Sequence, residues 1–398
     1  MTGGDHAGVL ASVRALHTAG HRPTVVVSRP GAYAARSRRA AASVVLPDSR
    51  RDPAGFVTGL AATVDAGRFD ALLAGTESDM IAIAGAARTI GALAASPAPD
   101  LVLTVTDKAA VNRMAVAAGL RLPPSVEARP AEVGCRPDVG ALGWPLLVKP
   151  LRSEVAGPDG GLVHASAGLA GTPAEAALLA RSTGADRVVL QRRIDGRLTA
   201  LCGVAWEGEM ICCVHQTAER IWPPGLGISA YARTVPADPE LESGVGALLA
   251  GLRWSGIFQA QFIAGPDGSF FIDLNPRIYG SLALAVAAGA NLPALWVSLL
   301  TGCRPERPRY RVGVRYRAEE LDLRALSRLA RDRPARAAGA LLPRRHTAHA
   351  VVQASDPMPA MEYVDRAWNR LARRRRPGTG QPVTHCAGAG RSRNHWSR

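Results

Sequence analysis

The sequence predicts an α/β protein in which a small doubly wound domain precedes a larger α+β unit. Helical and β-branched segments alternate over residues 1–104, a pattern typical of a mostly parallel sheet covered by helices. The pattern changes at Thr106, beyond which strands follow one another directly and a hairpin is expected. The chain has 398 residues, 47% of them hydrophobic and 20% charged, so it is long enough to bury more than one core.

The elements of the first 104 residues are assigned from their hydrophobic spacing. The strand expected before Gly3 and Gly4 is missing, which predicts a chain that starts late within its first β-α unit. We predict helices over 9–16 and 56–65 and from about Asp79, and strands in TVVVS, in FDALLAG and at 101–105.

The remainder contains more strands and one long hairpin. In order, we predict a helix in DKAAVNRMAVAAGL, a strand ending in WPLLVKP, a Gly-rich loop at 153–161, a helix near 173–181, the strands RVVLQRRI, TALCGVAW and EMICCVH, an irregular segment RIWPPGLGISAY, a helix at 239–252, a hairpin in FQAQFIAGPDGSFFIDLNPR and helices within 281–300.

The net charge of +15 is concentrated at one end of the chain. Residues 306–398 hold 21 Arg and eight Asp or Glu, a balance of +13, whereas the first 305 residues are nearly neutral. The segment 369–398 has eight Arg and no acid, which predicts a disordered basic tail. Nucleic-acid binding is therefore an alternative for the tail alone, and we do not expect it of the main body.

The sequence also limits location and redox chemistry. Its hydrophobic stretches fall short of the roughly 18 apolar residues of a membrane span, and the N-terminal MTGGDHAG resembles no signal peptide. We therefore expect a cytoplasmic protein without membrane partners. The six cysteines form no CxxC pair, which argues against a disulfide framework.

The hairpin carries the most informative polar residues. If its GPDG turn closes around Asp267, Gln261 lies opposite Asp273, and Asn275 shares their face because side chains alternate along a strand. Amide and carboxylate oxygens are the ligands that Mg²⁺ prefers. Arg277, two residues further along, is placed to reach a phosphoryl oxygen.

These segments resemble the ATP-grasp superfamily over roughly 200 residues, from Thr106 to about Cys303. FIDLNPRIYGS is similar to the metal-binding strand of that family, and Gln261 in place of Glu is similar to the carbamoyl-phosphate synthetase branch. TDKAAVNRM and WPLLVKP resemble the segments that bear its two phosphate-binding lysines. Lys108 and Lys149 stand there, and they are the only lysines in a chain with 46 arginines.

The resemblance implies a division of the chain and a nucleotide site. It implies a pre-ATP-grasp domain at 1–104, a two-lobed ATP-grasp domain at 105–305 with a lid subdomain near 125–195, an appendage at 306–368 and the tail. VLQRRIDG resembles the adenine hinge, so Gln191 and the backbone from Arg192 to Ile194 are expected to bind the base. ATP and Mg²⁺ (or Mn²⁺) are the implied cofactors.

The implied activity is that of an ADP-forming ligase that joins a small carboxylate to an amine through an acyl phosphate, with Lys149 and Arg277 as catalytic residues. Arg220, Ser229 and Arg233 are candidate substrate contacts, although the two arginines fit a solvated loop equally well. His215 and Glu219 are weaker candidates for holding the amine. A catalytically weak ATP-binding protein is the main alternative, since one acid and Gln261 supply little negative charge. The oligomeric state stays open, and a homodimer is compatible with the sequence.

Overall fold

A computed structural model of the chain describes residues 1–91, 97–157, 159–342, 344–366 and residue 368. The predicted tail, 369–398, lies outside the described residues. The domain boundaries themselves stay a prediction, and the three regions below follow the sheets that the structure contains.

The N-terminal region places helices around a short parallel pair of strands, in which Val26 lies opposite Val44. The amide of Thr2 donates to the carbonyl of Leu73 at 3.0 Å, and the amide of Val26 donates to the carbonyl of Met1 at 2.9 Å. Residues 1–4 therefore lie between β1 and the segment that contains Leu73. The elements are α1 (Ala7–Thr18), β1 (Thr24–Val27), β2 (Ala42–Val45), α2 (Pro53–Ala66), α3 (Glu77–Gly85), α4 (Ala87–Ile90) and α5 (Pro99–Val105).

The second region builds a sheet with the strand order β3-β8-β4-β7 and a separate hairpin of β5 with β6. Its core is small and apolar, and Leu146, Val148 and Leu190 are fully buried in it. The elements are α6 (Lys108–Ala117), β3 (Ser125–Ala128), α7 (Pro137–Ala141), β4 (Leu146–Pro150), β5 (Glu154–Ala156), β6 (Leu162–His164), β7 (Gly168–Ala170), α8 (Pro173–Ser182) and β8 (Val188–Arg192).

The third region forms the central sheet, whose order in the described residues is β13-β12-β9-β10-β11-β14-β15. Strands from beyond residue 305 therefore extend the same sheet that carries the predicted hairpin. The elements are β9 (Arg197–Trp206), β10 (Glu209–Trp222), β11 (Ile228–Thr234), α9 (Pro239–Leu252), β12 (Gly256–Gly265), β13 (Gly268–Asn275), α10 (Leu282–Ala288), α11 (Leu292–Leu300), β14 (Arg315–Arg317), α12 (Glu319–Asp332), α13 (Pro334–Leu341) and β15 (Thr347–His349).

Both faces of the central sheet are covered by apolar helices. On one face, Val9 of α1 and Leu292 and Trp296 of α11 pack against the sheet. On the other face, α3, α5, α6 and α9 contribute to a core that includes Val105 and Leu249. Removal of this apolar surface from water stabilises the fold by roughly 25 cal/mol per Å².

Two predicted strands of the N-terminal region are wrong. Residues 101–105 belong to helix α5, in which Pro99 occupies the first turn and Val102 and Val105 are buried at helical spacing. A short β-branched run does not distinguish a strand from a buried helical turn. The segment FDALLAG forms no strand, although the carbonyl of Leu73 accepts from the amide of Thr2.

The predicted irregular segment RIWPPGLGISAY is also wrong. Strand β10 continues to Trp222, which pairs with Ile228 at the start of β11, so only residues 223–227 make the turn. A Cβ atom on Gly227 would lie 2.1 Å from the carbonyl carbon of Trp222. The close approach at this turn therefore requires glycine.

No single helix among the described residues is long and apolar enough to cross a membrane. The helices α10 and α11 reach the required length and composition only together, and the pair is bent by 90°.

Candidate functional site

The predicted pairing of Gln261 with Asp273 is confirmed. The hairpin differs from the prediction in its turn and in one extra residue of β13, and the two differences compensate in the register. The loop consists of Pro266 and Asp267, because Gly265 pairs with Gly268, so the strands turn half a residue earlier than predicted. Ile272 is then an extra residue in β13, which restores the predicted register. Such a bulge re-aims the side chains beyond it.

The oxygen-bearing side chains of the hairpin share one face, as predicted. Asn275 pairs with Gln259 and donates to its Oε1 at 3.1 Å. Among the residues that the structure describes, none donates a hydrogen bond to the Asp273 carboxylate, which is half-buried. A half-buried carboxylate without a donor is available to a cation.

Lys149 reaches from β4 to the bulge in β13. Its Nζ donates to the carbonyl oxygen of Ile272 at 3.2 Å. Burial lowers the pKa of Lys149 to about 8, while the charge of Asp273 raises it and that of Lys108 lowers it further. An ammonium held in this environment is stabilised by added negative charge, such as that of a phosphate.

Lys108 begins α6, and its position is fixed from both sides. Asp107 caps the helix by accepting from the amide of Ala110 at 3.0 Å, and the amide of Lys108 donates to the carbonyl of Leu151 at 2.9 Å. Nζ of Lys108 donates to Oγ of Ser153 at 2.9 Å. The lysine therefore touches the first residue of the predicted Gly-rich loop.

Lys108 and the hairpin meet in a polar cleft. Both the α5–α6 junction and β13 line it, as expected if metal and phosphates share one site. The polar side chains that line the cleft are those of Glu77, Thr106, Lys108, Asn112, Ser153, Asp273 and Asn275.

Glu77 is a cleft residue that the sequence reasoning missed. It is 9% exposed, and its Oε1 accepts no hydrogen bond from the described residues. Burial raises its pKa, whereas the charges of Arg277 and Lys108 lower it. One signal was present, because Glu77 follows the predicted strand FDALLAG, and ligands of α/β sheets bind beyond the carboxyl ends of strands.

Arg277 lies beside Asn275 at the end of β13. Its two terminal nitrogens donate to the Ile278 carbonyl at 3.1 Å and to Oδ1 of Asn275 at 3.3 Å. The guanidinium is thus held in place while its buried Nε–H lacks an acceptor among the described residues.

Gln191 lies on the same face of its sheet as Lys149. Lys149 pairs with Val189 in β8, and Gln191 is two residues further along that strand. Gln191 is 2% exposed, yet its Oε1 has no donor among the described residues. An unsatisfied buried oxygen costs roughly 1–3 kcal/mol unless a ligand supplies a donor.

The backbone amide of Arg192 is already engaged, since it donates to the carbonyl of Pro124 at 2.8 Å. The Arg192 side chain donates to the carbonyl of Leu142 at 2.7 Å. The Arg192 amide is therefore occupied, and base binding by the backbone from Arg192 to Ile194 stays a prediction.

The predicted Gly-rich loop is a hairpin attached to the N-terminal region. Arg50 makes a forked ion pair with Glu154, with its terminal nitrogen 2.7 Å and its Nε 2.9 Å from the two carboxylate oxygens. Although burial opposes it, hydrogen bonds from His164 and Arg50 lower the pKa of Glu154 to about 2. A Cβ atom on Gly161 would lie 2.5 Å from the carbonyl oxygen of Arg50. Two separate contacts thus hold the loop against the N-terminal region, and its first residue, Ser153, lines the cleft.

The predicted substrate arginines each have a carboxylate partner. Arg220 makes a forked pair with the buried Asp322 at 2.5 and 3.0 Å, and Arg233 lies 3.1 Å from Glu219. Ser229 pairs with Ile221 across β10 and β11. Either arginine would have to exchange partners to bind a substrate carboxylate.

A family model described as "ATP-grasp in the biosynthetic pathway with Ter operon" matches residues 187–321, which include the hairpin and Arg277. Over this segment, about a third of the chain, the sequence is similar to the ATP-grasp family. Comparison with curated proteins gives no significant match.

Solved ATP-grasp structures share the fold of this chain at low sequence identity. The L-amino acid ligase from Bacillus licheniformis is 16% identical, with a TM-score of 0.55 over 77% of this chain and 73% of that one. N5-carboxyaminoimidazole synthetase from Staphylococcus aureus is 14% identical, with a TM-score of 0.59 over 84% and 85%.

A third solved structure holds ligands. The biotin carboxylase domain of Hydrogenobacter thermophilus 2-oxoglutarate carboxylase, solved with MgADP, ADP and bicarbonate, is 15% identical, with a TM-score of 0.58 over 78% of this chain and 71% of that one. The three likenesses confirm the predicted α/β ATP-grasp fold.

Proposed function

We propose that this ATP-grasp protein is an ADP-forming ligase that joins a small-molecule carboxylate to an amine. The observation that carries the proposal is the convergence of Lys108, Asp273 and Asn275 on one cleft, with Lys149 reaching the same hairpin. The ligase named in one structural relative is consistent with this activity.

The nucleotide would bind between the two sheets. The unpartnered Oε1 of Gln191 is the acceptor for the adenine amino group, and the backbone near Ile194 meets the ring edge. Lys149 and Lys108 bind the phosphates, with Lys149 nearer the hairpin and Lys108 beneath the Gly-rich loop. A compact ammonium suits a phosphate held in a narrow space.

The hairpin would hold Mg²⁺ or Mn²⁺ through Gln261, Asp273 and Asn275. The donor set is all oxygen, and the Asp273 carboxylate has no competing donor among the described residues, so the residues fit a hard cation. When bound, the ion neutralises phosphate charge and helps to align the terminal phosphoryl group.

The chemistry would consist of two displacements. A carboxylate oxygen of the substrate attacks the γ-phosphorus while the bond to the β-phosphate oxygen breaks, which yields an acyl phosphate and ADP. The amine then attacks the acyl carbon, phosphate leaves with the carboxylate oxygen, and the amine loses a proton. Arg277 offers an N–H donor to the transferring group, and the Gly-rich loop excludes water that would hydrolyse the intermediate.

Glu77 would face the incoming amine. Its unpartnered oxygen is buried in the cleft among cationic groups, where it can accept a hydrogen bond from an ammonium. Arg220, Ser229 and Arg233 remain proposed contacts for the substrate carboxylate, with the two arginines exchanging their present partners.

The test is a screen of amino acids and small carboxylates for ADP formation. We expect ADP release that requires both a carboxylate and an amine, and Lys149→Ala should reduce it at least about 100-fold. Arg51→Ala, at an exposed neighbour of the loop contact, is the matched control. ADP release that is indifferent to added acid and amine would favour the second candidate function.

That second candidate is an ATP-binding protein with weak catalysis. It is favoured because Asp273 is the one acidic residue among the three proposed metal ligands, and the residue opposite it is the neutral Gln261. It predicts nucleotide binding without amide formation for every substrate pair in the screen.

A further inference from the structure

Three metal-ligating side chains meet between strand β10 and helix α9, away from the residues that line the cleft. The ligand atoms of Cys213, His215 and Glu242 all lie within 4.8 Å of one another. Oε1 of Glu242 is 3.2 Å from Sγ of Cys213 and 3.0 Å from Nε2 of His215. One carboxylate oxygen is therefore shared by a thiol and an imidazole.

The strand register shows that this cluster and the proposed metal ligands of the hairpin project from different faces of the sheet. His215 pairs with Leu201, Leu201 with Ala260, and Ala260 with Leu274. Cross-strand partners project from the same face, so His215 lies on the face of Leu274, and Asp273 projects from the other. The two candidate metal sites cannot share an ion.

Local structure fixes the three side chains. Cys213 and His215 are two residues apart on β10, so they project to the same side. Glu242 lies in the first turn of α9, whose start is set by Asp238 accepting from the amides of Glu240 and Leu241. The amide of Val235 donates to the carbonyl of His215 at 3.0 Å, which ties the approach to α9 to the same point of β10.

The ligand chemistry differs from that of the cleft. Thiolate, imidazole and carboxylate together suit zinc, whereas the all-oxygen set of the hairpin suits magnesium. A tetrahedral zinc ion separates its ligand atoms by roughly 3.5 Å, so side-chain shifts of less than about 1 Å would open the cluster around an ion. The thiol proton would leave as zinc binds, because the thiolate is the ligand.

We propose that Cys213, His215 and Glu242 form a zinc site that fastens α9 to β10. His215 is buried, whereas the Glu242 side chain is 33% exposed, so water has access to a fourth coordination position. Because the site joins α9 to β10, which lies three strands from β13 in the central sheet, its role is to hold the helix rather than to bind nucleotide. The proposal does not depend on the ligase activity.

The test is the zinc content of the full chain, purified without chelator after growth with added zinc. We expect about one zinc ion per chain in the wild type, and less than about a tenth of that in Cys213→Ser and Glu242→Gln. Two matched controls should retain zinc. Cys303→Ser removes an exposed thiol, and Cys386→Ser removes the thiol that neighbours His385 in the tail.

A second measurement on the wild type guards against variants that fail to fold. Cobalt added to chelator-treated protein should give a thiolate-to-metal charge-transfer absorption, and zinc should raise the melting temperature with a one-to-one endpoint. Any of three results would overturn the proposal. The wild type could take up no zinc, zinc could be lost only in Cys386→Ser, or the cobalt complex could lack thiolate absorption.

Discussion

Nζ of Lys149 lies 3.2 Å from the carbonyl oxygen of Ile272, the extra residue of the β13 bulge. This hydrogen bond joins the sheet that carries Gln191 to the hairpin that carries Asp273. The predicted adenine and metal sites are therefore connected through one ammonium. The bulge directs the carbonyl group of Ile272 toward Lys149.

Lys149 gives the protein a predicted pH dependence of ATP binding. Burial lowers its pKa to about 8, so the ammonium is present below that pH and is lost as the pH rises through it. Between pH 8 and 9 we expect the affinity for ATP to fall by up to about tenfold. Lys149→Arg should bind ATP more weakly at every pH but with a flat profile, since guanidinium stays charged. Nucleotide titration by calorimetry measures both, and a wild-type profile as flat as that of the variant would refute the assignment.

The hairpin predicts weak metal binding in the absence of nucleotide. Gln261→Glu adds a second carboxylate opposite Asp273 and should strengthen Mg²⁺ binding to the nucleotide-free protein by about tenfold. Asp273→Asn should abolish it. Ser269→Glu adds the same charge near the hairpin loop and serves as the control. Tight Mg²⁺ binding by the wild type in calorimetry, with no gain in Gln261→Glu, would contradict the proposed ligand set.

Gln191 predicts selectivity for an exocyclic amino group on the base. Gln191→Met removes the unpartnered buried oxygen and should weaken ATP binding about tenfold, the equivalent of one hydrogen bond of about 1.4 kcal/mol. Inosine triphosphate lacks that amino group, so its affinity should change little in the same variant. Equal losses for the two nucleotides in a competition assay would place the adenine elsewhere.

The ion pair of Arg50 with Glu154 predicts a closed Gly-rich loop. Arg50→Ala leaves the buried Glu154 carboxylate with His164 as its remaining partner. We expect a loss of about 3 kcal/mol in the free energy of unfolding, faster proteolysis within 153–161 and more ATP hydrolysis without amine. In a double-mutant cycle, adding Glu154→Gln should recover part of the stability. The control is Arg51→Ala, which should match the wild type. An Arg50 variant as resistant to protease as the wild type would show that the contact does not hold the loop.

Local patterns were enough to predict most of the longer helices and strands between Thr106 and residue 300, and the pairing of Gln261 with Asp273. The pairing succeeded because Ile272 compensates for a loop that closes earlier than expected. The strand predicted at 101–105 failed because its apolar residues are equally suited to a buried helical face, and packing against the central sheet decides between them.

The contributions of the N-terminal region to the cleft could not be read from the sequence. Glu77 follows a segment predicted as a strand, but its place beside Lys108 comes from packing between segments far apart in the chain. The contact of Arg50 with Glu154 arises in the same way. The partners of Arg220 and Arg233 were hidden for the same reason, since Asp322 lies about 100 residues beyond Arg220.

The most direct test of the ligase proposal follows an oxygen atom. With an acid found in the screen and labelled with ¹⁸O in its carboxylate, the proposed reaction transfers one labelled oxygen to inorganic phosphate in each turnover, because phosphate leaves with that oxygen. We predict labelled phosphate, ADP and an amide in equal amounts. Unlabelled phosphate, or AMP with pyrophosphate in place of ADP, would contradict the account.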